Sequence, residues 1–270
     1  MPELPEVESV TRQLRPRLVG RRITSVWWDP QSRFTDISAA EGRHVTALRR
    51  RGKYMLALLE AGGRADRELV MHLGMTGAFR FRGDGWVPDA YVRATLTLDD
   101  AVLDFRDVRR FGRLTVVPAG DYHTIATLAH LGPEPLGTDF RPELFHATLA
   151  RSRMPVKAQL LSQRPVAGVG NIYADEALWI ARINPRARRL GPERAARLWE
   201  AIRVVLRQAI EREGTTFRDY QMVNGESGRN ATFLVAYGQH GRPCPRCGEP
   251  LRRIVVAGRG TTYCPRCQRA

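Results

Sequence analysis

The sequence predicts an α+β protein in three parts: a leading helix with an N-terminal antiparallel β-sandwich, a helical middle, and a small C-terminal β-hairpin. Three observations predict it. From Ile23 to Val117 apolar and polar residues alternate with period two. Beyond a Pro- and Gly-rich stretch from Pro118 to Leu136 the apolar period becomes helical. All four cysteines fall near the C-terminus as two C-x₂-C pairs.

The leading helix is read over residues 5–18, where Val7, Val10, Leu14 and Leu18 recur at helical spacing and Arg12, Arg15 and Arg17 lie elsewhere. It ends between Pro16 and Gly20. Ahead of it stands Met1-Pro2-Glu3-Leu4-Pro5-Glu6. Trimming of Met1 leaves Pro2 as a free secondary amine. An α-amino group has a pKa of roughly 7.7–8 against about 10.4 for lysine, so far more of it is neutral and nucleophilic at physiological pH. Glu3 and Glu6, three residues apart, supply proton-transfer groups beside it, the pairing that covalent amine catalysis needs. A plain helix start, with Pro5 in the first turn and acids at the positive end of the dipole, accounts for Glu6 and Glu8 equally well. It leaves Pro2-Glu3 unexplained.

The β region is read from runs such as Tyr54–Leu59, Glu68–His72, Ala78–Phe81 and Ala94–Leu98, with turns at Gly83-Asp84-Gly85 and Asp99-Asp100. Lys53 opens one strand, directly after Arg49-Arg50-Arg51-Gly52, where it reaches a sugar or phosphate or is one more solvated cation. Two loops stand out. His72-Leu73-Gly74-Met75-Thr76-Gly77 sets a flexible Met between glycines, and Asp107-Val108-Arg109-Arg110-Phe111-Gly112 sets arginines beside an aromatic. An apolar wedge plus an arginine is what fills the gap left by an extruded nucleotide, and the fork of Arg109 suits the edge of the orphaned base. The alternative is that Met75 and Phe111 are core.

Helices are expected over Pro142–Ala150, Val156–Ser162, Asn171–Ala181 and Glu193–Glu213. Between the second and third, Arg164-Pro165-Val166-Ala167-Gly168-Val169-Gly170-Asn171 is a Gly-rich helix entry that exposes N–H groups at the positive end of a dipole. That is a phosphate site by geometry, with Asn171 as cap or ligand, or else only a tight turn. Lys157 lies one helix earlier, able to point to the same backbone. Residues 214–238 are Gly-, Asn- and Ser-rich and read as a mobile loop that closes over a bound base.

Cys244-Pro-Arg-Cys247 and Cys264-Pro-Arg-Cys267 are separated by 16 residues, the spacing of a four-thiolate structural zinc site around a hairpin whose turn is Gly258-Arg259-Gly260. Two disulfides are the alternative. Four thiolates leave no open position, so the metal holds the fold and does not catalyse. Arg259 at the tip is placed to meet a phosphate or a minor groove.

The formal net charge is +15. Such a balance points to a polyanion, nucleic acid first. No apolar run is long enough to span a bilayer and no signal peptide is recognisable, so the expected location is the cytoplasm. Only Lys53 and Lys157 are lysine against 41 arginines, the mark of a GC-rich genome. A lysine kept against that bias suits a site that needs a compact ammonium.

Together these residues resemble the formamidopyrimidine-DNA glycosylase family of base-excision repair, most specifically in the Pro-Glu-Leu-Pro-Glu-Val start, the Gly-Val-Gly-Asn helix entry and the four-cysteine hairpin. Leu4 and the Arg109-Arg110-Phe111 loop are similar to the oxidised-purine branch rather than the endonuclease VIII branch. The resemblance implies an N-terminal catalytic sandwich over 1–130, a linker over 131–140, a helix–two-turn–helix domain over 141–235 and a zinc finger over 236–270. It implies one zinc ion and, as partner of a monomer, double-stranded DNA containing oxidised bases or abasic sites. It makes Pro2 the nucleophile, Glu3 the proton-transfer group and Glu6 a supporting carboxylate. Lys53 and Lys157 become contacts near the lesion, Asn171 and Arg259 a phosphate clamp, and Met75, Arg109 and Phe111 the void-filling triad. His72, heading the Met75 loop, joins the DNA contacts. One stretch departs from the family pattern: Arg229-Asn230-Ala231 follow Gly228 where a capping aromatic is usual, which leaves the lesion pocket outside what the resemblance carries. The competing functions are an oxidised-pyrimidine glycosylase of the same fold and a non-catalytic binder of damaged DNA.

Overall fold

In the computed structural model, residues 1–83, 85–217 and 220–269 are described, so Asp84 of the expected Gly83–Gly85 turn lies outside them. The chain divides into two compact units, Met1–Ala129 with Arg212–Arg229, and His130–Glu211 with Asn230–Ala270.

The first unit opens with α1 (Leu4–Leu18) and continues through β1 (Ile23–Trp28), β2 (His44–Arg51), β3 (Tyr54–Ala61), β4 (Arg64–His72), β5 (Gly77–Phe81), β6 (Val92–Leu98), β7 (Val102–Asp107), β8 (Arg113–Pro118) and the single turn α2 (Ala126–Ala129). Two four-stranded antiparallel sheets result, ordered β1-β6-β7-β5 and β2-β3-β4-β8. Their apolar faces, with Phe79, Phe81 and Phe105 from one and Met55, Leu69 and Met71 from the other, share one core with Val7, Val10, Leu14 and Leu18 of α1. Helical spacing thus puts the stripe of α1 on the sandwich, and polar contacts fix its orientation. Glu8 receives Arg50 Nε at 2.8 Å, and Arg15 Nε donates to the Leu48 carbonyl at 3.0 Å.

Arg212–Arg229 returns to this unit after the second unit has begun. Consecutive segments cannot express this return, which buried polar groups enforce. Tyr220, Met222 and Val223 join the sandwich core. Arg80, 7% exposed, grips the segment by donating to the main-chain oxygens of Met222 and Val223 and to Gln221 Oε1. The expected mobile loop is therefore tied down over Tyr220–Val223.

The second unit holds α3 (Pro142–Ala150), α4 (Val156–Leu161), α5 (Asn171–Ile180), α6 (Pro192–Glu211) and the antiparallel hairpin β9 (Arg252–Val256) and β10 (Arg259–Tyr263). Phe140, Phe145 and Trp199 pack ring against ring where α6 meets α3. Among the described residues no helix is long and apolar enough to cross a membrane.

Candidate active site

Pro2 and Glu3 precede the first turn of α1, and Glu3 is its N-cap. The Glu3 side chain receives the Glu6 amide, while Glu6 Oε2 receives the Glu3 amide at 2.7 Å, a reciprocal capping box. Both carboxylates are buried, at 2% and 1% exposure. Glu6 does more than a helix start requires. Its other oxygen, Oε1, accepts the Thr215 amide at 2.7 Å, clipping the returning segment to the N-terminus. Gly214, with φ +83°, makes this approach possible, because a Cβ there would lie 2.7 Å from Glu6 Oε1.

Gly52 and Lys53 form the tight turn between β2 and β3, so Lys53 lies in the hairpin connection and not on a strand. It is 8% exposed, and its ammonium acts electrostatically on His72. The His72 ring stacks on Tyr54, with centroids 4.7 Å apart, and its Nδ1 accepts the Gly74 amide at 3.1 Å. Burial first, then the charges of Lys53 and Arg113, push its pKa down to about 4. At neutral pH it is an uncharged imidazole whose Nε2 carries the proton.

The loops that carry Met75 and Phe111 meet. Gly74 approaches so closely that a Cβ would sit 2.4 Å from the Phe111 carbonyl carbon. Asp107, 1% exposed, ties them together. Its Oδ1 receives the Thr76 hydroxyl and, at 3.2 Å, the Arg109 amide, and its Oδ2 receives the Gly112 amide at 2.7 Å. Arg110, at φ +54°, turns its guanidinium back to Asp29. That leaves Arg109 exposed with its guanidinium 4.7 Å from the centre of the Phe111 ring. Phe111 is 47% exposed and Met75 half-buried, so Phe111 is not core. Asp107 was the residue the sequence concealed, since an acid at a strand end reads as solvated.

In the second unit, Asn171 is the first residue of α5 and the cap is Gly170, so Asn171 does not cap with its side chain. Its Nδ2 donates instead to the Gly260 carbonyl at 3.2 Å, joining the helix entry to the hairpin. The hairpin turn is Ala257-Gly258, both at positive φ, which places Arg259 as the first, exposed residue of β10 rather than at the turn.

Lys157 is a correction. The sequence reading sets it near the DNA backbone, but its side chain is fully buried, with Nζ 2.6 Å from Asp175 Oδ1, 2.8 Å from Thr261 Oγ1 and 3.3 Å from the Gly260 oxygen. Asp175 also accepts the Thr262 amide at 2.9 Å. Burial pushes its carboxyl up to about 6, held back by the Lys157 ammonium and that amide. This ion pair fastens β10 to α4 and α5. Its neighbour Glu176 is likewise structural, accepting the amides of Val235, Ala236 and Tyr237.

The four cysteine sulfurs lie within 4.8 Å of one another. Cys247 Sγ is 3.5 Å from Cys264 Sγ and 3.4 Å from Cys267 Sγ. A tetrahedron of Zn–S bonds near 2.3 Å has edges of about 3.8 Å, so the donors fit a zinc ion and are too far apart for disulfides near 2.05 Å. Trp179, whose buried indole N–H has no hydrogen-bond partner, packs with Cys244 and Cys264 in one buried cluster. The residues therefore hold one structural zinc.

Comparison with known proteins covers the whole chain. The formamidopyrimidine-DNA glycosylase N-terminal domain matches residues 1–114, the helix–two-turn–helix domain of the same enzymes residues 131–221, and the zinc finger found in these enzymes and isoleucyl-tRNA synthetases residues 241–270. The formamidopyrimidine-DNA glycosylase of Thermus thermophilus is 48% identical, over 99% of this chain and 98% of its own. That of Deinococcus radiodurans is 45% identical over 99% and 97%. The crystal structure of the Thermus thermophilus protein superposes with a TM-score of 0.90 over 99% and 98% of the two chains. A Lactococcus lactis mutant bound to Fapy-dG-containing DNA gives 0.90 at 34% identity, with both chains fully covered. On the agreement of all three segments and of full-length relatives, the chain belongs to the formamidopyrimidine-DNA glycosylase family.

Proposed function

We propose that the protein is a zinc-containing DNA glycosylase and AP lyase of base-excision repair. It removes oxidised purines, chiefly 8-oxoguanine opposite cytosine and formamidopyrimidines, from double-stranded DNA in the bacterial cytoplasm. The observation that carries the mechanism is the capped start of α1, which fixes Pro2 and Glu3 against buried Glu6. With Met1 removed, the Pro2 nitrogen attacks C1′ of the damaged nucleotide, its lone pair forming the new C–N bond as the bond to the base breaks and the base leaves with a proton. Glu3 delivers a proton to the sugar oxygen as the ring opens to the iminium. It then assists removal of the C2′ proton, and β- and δ-elimination break the 3′ and 5′ C–O bonds in turn. Glu6 keeps the amine and the Thr215 segment in register. Lys53, neutral His72, Asn171 and Arg259 take phosphates or sugar. Met75 and Phe111 fill the space the nucleotide vacates, and Arg109 meets the orphaned base. The zinc, held by Cys244, Cys247, Cys264 and Cys267, keeps the Arg259 hairpin folded.

Borohydride trapping on an 8-oxoguanine:cytosine duplex, with mass mapping of the adduct, tests this reading. An adduct on Pro2 supports it. An adduct on a lysine moves the nucleophile, and turnover of thymine-glycol duplexes alone assigns the oxidised-pyrimidine substrate. No adduct on any oxidised duplex, with Met1 retained, leaves a damage binder.

A further inference from the structure

Between Glu143 and Glu193 the chain carries only two acidic residues, Asp175 and Glu176, and both are buried and engaged by Lys157 and by backbone amides. Every exposed charged side chain over residues 144–192 is therefore an arginine. The structure gathers most of them on two turns of the second unit. Arg151 and Arg153 follow α3, while Arg186, Arg188 and Arg189 lie between α5 and α6, and all five are exposed.

The turns are bound edge to edge. The Val156 amide donates to the Ala187 carbonyl at 2.7 Å, the Lys157 amide to the Pro185 carbonyl at 3.3 Å, and Arg188 Nη1 to the Arg153 carbonyl at 3.4 Å. Each turn is internally braced, the first by the Arg151 and Ser152 amides on Thr148 and Leu149, the second by the Arg186 amide on Asn184 Oδ1. Among the described residues none of the five guanidiniums is within ion-pair distance of a carboxylate, whereas Arg197, on α6 of the same unit, faces Glu193 at 3.5 Å. Arg151 has a local reason for its charge at the C-terminus of α3. Arg188 has the Arg153 carbonyl, and among the described residues Arg153, Arg186 and Arg189 show no such local partner for their side chains. Four like charges held on two fixed turns repel one another, and among the described residues no carboxylate pairs with them to offset that repulsion. An array of this kind fits an evenly charged polyanion. Duplex DNA offers one phosphate per roughly 1.7 Å of axis.

The position of the array is informative. The backbone of Val156 and Lys157 carries the arginine turns, whereas the Lys157 ammonium, at the far end of its side chain, reaches the Gly260 oxygen that Asn171 also binds. The array thus flanks the proposed Asn171–Arg259 clamp without overlapping it.

We propose that the Arg153 and Arg186–Arg189 turns form a second phosphate-tracking surface, which holds the duplex arm beyond the lesion contacts. The proposal rests on the reading of the chain as a DNA glycosylase. The test uses the zinc-loaded full chain and Arg153→Gln/Arg186→Gln/Arg188→Gln, with affinities for 8-oxoguanine:cytosine duplexes of about 12 and about 30 base pairs from roughly 50 to 200 mM NaCl. On the long duplex the triple variant should flatten the slope of log K against log[salt] by about 0.9 per lost phosphate contact, two to three in all. On the short duplex, slope and cleavage rate should match the unsubstituted protein. An unchanged slope on the long duplex overturns the proposal. So does an equal loss on both lengths, which would put the arginines inside the lesion clamp. Displacement of the long arm by poly-glutamate at concentrations where lesion-free duplex fails to compete would assign an acidic protein partner and also overturn it. Cleavage of the short duplex by the unsubstituted protein reads the glycosylase assignment separately. Its failure with a length-dependent slope intact would remove that assignment and leave the surface standing.

Discussion

Replacing Lys157 by Met keeps the length and apolar stem of the side chain and deletes the ammonium. In the native protein that ammonium is 2.6 Å from Asp175 and also satisfies Thr261 Oγ1 and the Gly260 carbonyl. Three acceptors then face an apolar group, and Asp175 keeps only the Thr262 amide. Breaking a buried pair from one side costs about 3–5 kcal/mol. Here the cost is limited from above, because the carboxyl, already raised to about 6 with the lysine present, escapes by taking up a proton. About 3 kcal/mol at pH 7 is the expected loss, a factor of about 150 in local opening. Hydrogen exchange of the β10 amides reads it directly, and zinc retention reads the consequence. The pH dependence has a defined sign. The folded value of Asp175 lies above the unfolded value of 3.8, so the folded variant binds more protons between the two, and acidification from pH 7 toward 4 restores part of its stability. Lys157→Met/Asp175→Leu removes both charges and should recover most of the loss. An exchange rate within threefold of the native protein in Lys157→Met, or simple additivity in the double variant, would refute the argument.

His72 should remain neutral well below its ordinary value. Its folded pKa near 4 is depressed from 6.5, so its contribution is complete above pH 6.5 and is lost as pH falls toward 4, at most about 3 kcal/mol. An NMR titration of its ring with a midpoint near 6.5 would contradict this. Asp107→Asn replaces one acceptor oxygen with an amide that cannot receive Gly112 or Arg109, costing about 1.5–3 kcal/mol of loop order. Excision of 8-oxoguanine should fall about tenfold or more, while cleavage of an abasic duplex, which has no base to extrude, should fall much less. Equal losses on both substrates would place Asp107 outside the wedge function. Metal analysis should find one zinc per chain, and its removal by a strong chelator should unfold the hairpin and abolish DNA binding, since structural zinc supplies on the order of 10 kcal/mol. Binding that survives chelation would show that the hairpin folds without it.

What could be read from the sequence was what neighbouring residues decide. The stripe of α1, the strands from Tyr54 onward and the paired cysteines each declare themselves within one or two turns of chain. The exposure of Phe111 was legible because glycines and arginines surround it. Lys157 was placed in the right helix but given the wrong surroundings. Its partner Thr261 is 104 residues away, and no local pattern distinguishes a lysine aimed at solvent from one aimed at a distant threonine. The return of Arg212–Arg229 was hidden for the same reason, since Glu6 and Thr215 meet across 209 residues. The turn at Ala257-Gly258 was shifted by one residue because an alanine at φ +49° carries no compositional signal.

Arg80 holds the Met222–Val223 stretch by its main-chain oxygens. Every amino acid offers the same carbonyl, so this part of the attachment is indifferent to side chains, whereas Gln221 Oε1 and the buried Met222 and Val223 side chains hold the stretch by their own chemistry. Substitutions at the exposed Glu226, Ser227 and Arg229 leave these attachments in place, in the stretch where Arg229-Asn230-Ala231 depart from the usual pattern. The fold thus separates the part that can drift from the part that cannot. Exchanging exposed residues such as Ser227 and Arg229 is expected to shift lesion preference, read as the ratio of 8-oxoguanine to formamidopyrimidine excision, while the chemistry proposed for Pro2 and Glu3 stays where it is.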